Sequence, residues 1–169
     1  READWAARWA AIERAGALRD TAAAAVARIR RARADVDAVV ERAKQAEEDR
    51  LRRREVKAEE LPLVASGNAV KEKLDALEKR LWQAPETVGI VADEDVMSRL
   101  GTAMGQLGSS WSPPSPNQLA TLERARAELA AFLVELNRTF DEDVAAYRQE
   151  VAGAGIGLLP AAAPLVVTP

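Results

Sequence analysis

The side chains best placed to do chemistry in this sequence are carboxylates. Asp93, Glu94 and Asp95 are consecutive, as are Asp141, Glu142 and Asp143, and Glu123, Glu128 and Glu135 recur in the segment before the second triplet. Carboxylates pointing into a helical bundle can hold a di-iron centre, but that chemistry also takes Glu-x-x-His pairs, and the sequence contains no His. The acids from Glu123 onward also fall off the apolar stripe of their segment, so no metal site is expected. Neither triplet has the alternating ligands and central Gly of a calcium loop. The first reads as helix capping, with Asp93 as N-cap, and the second as a solvated face.

The missing His also removes Ser-His-Asp triads and the usual general base near neutral pH. The missing Cys removes disulfides, thiolate metal sites and Cys nucleophiles. Ser109, Ser110, Lys73 and Lys79 have no activating base in the pattern. Met97 and Met104 read as core filler rather than haem ligands. The spacing Gly153-x-Gly155-x-Gly157 follows a helix, whereas a dinucleotide fingerprint needs a strand before it, so it reads as chain termination. No catalytic residue and no cofactor site is expected.

The charge balance is even, with a net charge of −3, and gives no electrostatic reason to bind nucleic acid. The clusters Arg28, Arg30, Arg31, Arg33 and Arg50, Arg52, Arg53, Arg54 are each followed by acids. They read as solvated helix faces laced with i,i+4 ion pairs, in preference to a nucleic-acid or anionic-lipid surface. The four tryptophans, Trp5, Trp9, Trp82 and Trp111, all stand near helix ends. Trp5 and Trp9 are one turn apart and share a face. Two readings stay open: the rings plug the bundle ends, or Trp5 and Trp9 anchor the bundle to another domain.

These residues need elements to position them. Ile12, Ala15, Arg19, Ala22, Val26, Ile29, Arg33, Val36, Val40 and Ala43 alternate steps of three and four, which predicts a helix with coiled-coil heptad character over about 4–60. Ser66 reads as the N-cap of a second helix over 66–84. Asp93 opens a third, over 93–108. Ser115 with Pro116 opens a fourth, over 115–153, whose stripe runs Leu119, Leu122, Arg126, Leu129, Leu133, Leu136, Phe140, Val144, Tyr147, Val151. Leu133 stands mid-stripe, and its loss is expected to cost about 2–5 kcal/mol. The fold read from this is all-α. It is an antiparallel up-down-up-down four-helix bundle over 1–153, with two long and two short helices. An extended apolar tail over 154–169 follows.

The tail carries Ile156, Leu158, Leu159, Leu165, Val166 and Val167 and no charge. Its length approaches the ~20 residues of a membrane span, but Gly153, Gly155, Gly157, Pro160 and Pro164 argue against spanning. With Trp5 and Trp9, these six apolar residues are the candidate partner-binding set, and the tail is expected to dock on a partner rather than on its own bundle.

The stretches AVKEKLDALEKRLWQAPETVGI and VADEDVMSRLGTAMGQLGSSWSPPSPNQLATLERARAELAAFLVELNRTFDEDVAAYRQEVAGAGIGLLP resemble the C-terminal helical region of secreted bacterial BNR-repeat, sortilin-like β-propeller proteins, often labelled glycosyl hydrolases. The resemblance spans about Ser66 to Pro160 and reaches the first helix only by pattern. It implies a bundle appended to a propeller, a periplasmic or extracellular location, and any glycosidase chemistry residing in the propeller. None of that family's catalytic residues maps here. A chain that opens on Arg1 without an initiator Met is expected to be part of something longer. The leading expectation is a non-catalytic interaction or scaffolding domain with a protein partner. The alternative is an accessory subunit of a larger, membrane-associated complex, held by its tail and aromatic ends.

Overall fold

The computed structural model describes residues 2–52, 62–82, 95–109 and 111–156, and every regular element among them is helical. Helix α1 spans Glu2–Arg52. It is rich in Ala, the best helix former, and has no Pro, so it runs unbroken through Gly16 for about 75 Å at 1.5 Å per residue. Residues 53–60, which the sequence pattern also assigns to this helix, lie outside the described residues.

Helix α2 spans Pro62–Leu81 and begins four residues before the expected cap. Pro62, with fixed φ and no N–H to leave unpaired, suits a first helical position. Ser66 therefore sits inside the helix, one turn past its start, where its hydroxyl donates to the Pro62 carbonyl at 2.9 Å. Helix α3 spans Val96–Gly108, and its N-cap is Asp95, whose carboxylate accepts from the Ser98 N–H at 2.7 Å. Asp93 lies outside the described residues. Helix α4 spans Pro116–Thr139 behind a complete capping box: Gln118 N–H donates to the Ser115 hydroxyl, and Ser115 N–H donates to the Gln118 side chain. A π-helical turn over Phe140–Val144 then leads into α5, Ala145–Gly153. Gly155, at φ 66°, takes the left-handed conformation that ends helices.

The cross-helix contacts fix the directions. Asp37, Arg33 and Arg30 of α1 pair with Lys71, Asp75 and Glu78 of α2, so α2 descends against α1. Arg19 of α1 lies beside Met97, and Arg8 reaches the Leu107 carbonyl, so α3 descends as well. Arg28 of α1 donates to Asn137, and Tyr147 of α5 lies against Gly67 and Val40, so α4 and α5 rise parallel to α1. The up-down-up-down expectation fails here. The order is up, down, down, up: α2 and α3 share one descending rod between two long ascending ones. An alternating topology needs a reversal between α2 and α3, whereas the core stripe of α1 is long enough to serve both helices in succession.

The apolar core follows that division in part. One cluster joins α1 from Ala22 to Val40 with Val70, Leu74, Leu77 and Leu81 of α2, with Leu100 at the start of α3, and with Leu129, Phe132, Leu136, Val144 and Tyr147. A smaller one joins Ala11 and Ala15 with Ala103, Leu107 and Leu122. In α4 the buried series is Leu122, Ala125, Leu129, Phe132, Leu136 and Thr139. Phe132, 2% exposed, holds the central place assigned to Leu133, which is half-buried at the edge of the core. The next strict heptad positions would be Asp143 and Ala146. The π turn adds one residue to the winding and brings Val144 and Tyr147 inward instead.

Candidate functional site

Of the two basic clusters of α1, the second keeps the expected intrahelical pairing at Arg52, which meets Glu48 one turn back, whereas the first reaches across to another helix. Arg30 and Arg33 pair across to α2, and the hydrogen bond to Asp75 holds the Arg33 guanidinium above its ordinary range. The acids of α4 and the π turn are engaged the same way: Glu128 with Arg99, Glu135 with Arg80 and Asp143 with Lys73. Asp143 is thus part of a helix–helix contact rather than a purely solvated face. Exposed pairs of this kind contribute about 0–1 kcal/mol each and serve mainly to set register.

The tryptophans form the most conspicuous surface. Trp5, Trp9 and Trp111 are 52%, 62% and 80% exposed, so they do not plug the core. The first turns of α1 carry two of them, and the Pro-rich loop between α3 and α4 carries the third. Trp5 and Trp111 meet edge to face, with ring centroids 5.6 Å apart, a geometry that aligns the positive edge of one ring with the negative face of the other. The Arg8 guanidinium lies 5.9 Å from the Trp5 centroid and 5.1 Å from that of Trp111, within cation–π range of both. Arg8 Nε also donates to the Leu107 carbonyl at 3.4 Å, one of the carbonyls that the end of α3 leaves without an intrahelical partner. Trp9 Nε1 donates to Glu13 at 2.7 Å, one turn along α1.

The rings are thus pre-ordered while more than half of each stays exposed. The arrangement offers no nucleophile and no acid–base pair. It offers flat apolar area with fixed orientation beside one cation. Trp82 stands apart, half-buried at the end of α2 with Arg30 5.0 Å from its centroid.

Of the tail residues in the candidate set, Ile156 is half-buried. Leu158, Leu159, Leu165, Val166 and Val167 lie outside the described residues. Sequence reasoning placed Trp5 and Trp9 together but left Trp111 unassigned, because nothing local in the sequence shows that the α3–α4 loop returns to the start of α1. Among the described residues, no helix is long and apolar enough to cross a membrane. Comparison with known protein families, with curated proteins and with solved structures finds no match.

Proposed function

We propose that this chain is a non-catalytic interaction or scaffolding domain whose protein partner docks on the Trp5–Arg8–Trp111 end. The observation that carries this reading is the exposure of three tryptophans, two of them ordered around Arg8 and the third, Trp9, held by Glu13. Clustered exposed apolar area marks interaction surfaces, and Trp and Arg dominate the energetics of interface centres. Ordering the rings before contact also lowers the entropy cost of binding. In this reading the partner is a propeller or another subunit of the same secreted or periplasmic assembly, and the apolar stretch beyond Ile156 docks on that assembly too.

The test is site-specific photo-crosslinking in cells that make the protein. The crosslinker is placed at Ala6, exposed beside the rings, and at Gln149, exposed on α5. Adducts with one protein from position 6 alone, lost on Trp5→Ala with Trp111→Ala, are expected. Equal adducts from both positions, or none from position 6, would overturn the reading.

A further inference from the structure

A second feature lies about 28 Å along α1 from Trp9, counting 1.5 Å per residue to Arg28. Here α1 on one side and the π turn with α5 on the other leave a groove of about 270 Å³. Val36, Val39, Val144 and Val151 line it. Its length, over Arg28 to Val39 on one wall, is roughly 16 Å. The Arg28 guanidinium stacks 4.1 Å from the Phe140 centroid and forms part of the lining.

The charges around this apolar floor are mostly of one sign. Arg28, Arg31 and Arg148 line it against a single acid, Asp35. Arg31 and Arg148 have no ion pair among the described residues, whereas Arg30 and Arg33, on the neighbouring face of α1, both do. The π turn contributes Phe140 and Val144 to the floor, and such turns recur at functional sites.

We propose that the groove between α1 and the π turn binds an anionic amphiphile, a long-chain carboxylate, with its hydrocarbon along the valines and its head group at Arg31 and Arg148. The two halves of the site ask for the two halves of one ligand. The valine floor favours displacement of water by hydrocarbon, and guanidinium forks without an ion pair among the described residues match a carboxylate in geometry and sign. A purely apolar occupant would leave the cations unanswered, and a cationic amphiphile would meet them with the wrong charge.

The probe is dodecanoate below its micellar concentration, titrated calorimetrically into the whole chain, with dodecyltrimethylammonium as the charge-reversed control. Saturable binding of one dodecanoate and none of the cation is expected. Arg31→Glu with Arg148→Glu, both exposed, weakens dodecanoate by about tenfold or more. Ala32→Trp fills the groove and abolishes binding; circular dichroism checks its fold, and the arginine variant decides the matter if it misfolds. Equal binding of both amphiphiles, or dodecanoate affinity unchanged in the arginine variant, overturns the proposal. So does binding that emerges only after residues 157–169 are deleted, which would make the chain's own segment the occupant. A dimer in sedimentation that Ala32→Trp dissociates would give the groove to a second copy, and the proposal falls in that case too.

Discussion

Tyr147 shows how one side chain ties three helices together. It is 4% exposed, and its hydroxyl has no hydrogen-bond partner among the described residues. A Cβ at Gly67 would stand 2.7 Å from that hydroxyl and 2.7 Å from Val40 Cγ2, so the glycine of α2 is what lets α5 and α1 close on each other. Ala in place of Gly usually stabilises a helix interior by about 1 kcal/mol, and Gly16, with nothing near it, should behave that way. At Gly67 overpacking of about 1–3 kcal/mol outweighs the gain. Chemical denaturation should therefore show Gly16→Ala stabilised and Gly67→Ala destabilised, with Tyr147→Phe restoring part of the second loss. The same hydroxyl sets a pH dependence. Burial first, and the nearby Glu150 second, push the phenol above its ordinary value of 10.0. As pH rises through about that value, the unfolded chain gives up a proton that the folded chain keeps. Stability then falls with rising pH until the folded phenol ionises as well. Because this is the only tyrosine in the chain, its ultraviolet titration reads the shift directly, and Tyr147→Phe should remove that component of the alkaline decline.

The elements were legible where a local pattern has one reading. Ser115 and Pro116 specify a start for α4, and the apolar steps of α1 specify its buried face. The register within α4 was harder, because Phe132 and Leu133 are adjacent apolar residues and either can continue a three-four pattern. Only the position of the α1 and α2 surfaces selects Phe132. Phe132→Ala should accordingly cost about 3–5 kcal/mol, clearly more than Leu133→Ala, measured by denaturant unfolding. The π turn was hidden for a related reason: the chosen stripe absorbed its extra residue as two consecutive steps of four, Leu136 to Phe140 to Val144. If that turn holds one surplus residue, deleting exposed Glu142 should restore α-helical winding and keep Val144 and Tyr147 inward. Deleting exposed Arg126 should instead rotate every later core residue by about 100°. Circular dichroism should find the first variant cooperatively folded and the second not. The direction of α3 was not legible at all, since a short amphipathic helix packs equally well either way until its neighbours are fixed. The tryptophan end shared that fate, because Trp111 joins Trp5 only through the return of the α3–α4 loop.

At the scale of the whole molecule, the descending rod is made of two helices where its neighbours are single long ones. The larger core holds Phe132, Ile29 and a set of leucines, whereas the smaller one rests on Ala11, Ala15, Ala103, Leu107 and Leu122. Alanine buries far less area than leucine or phenylalanine, and hydrophobic stabilisation scales with that area at about 25 cal/mol per Å². Since α2 and α3 are separate helices, α3 can let go without dragging α2 with it, and the molecule should open in parts. Amide hydrogen exchange should show residues 103–107 released at a lower free energy than 70–80 or 129–136. Equal protection in all three segments would mean a single cooperative unit. The tryptophan surface belongs to the weaker part, so a partner that grips it binds only the closed form and holds that part shut. Occupancy would then be recorded as slowed exchange in α3 and the first turns of α1, while α2 and the rest of α1 keep their own rates: a thermodynamic signal confined to one half of the continuous helix α1.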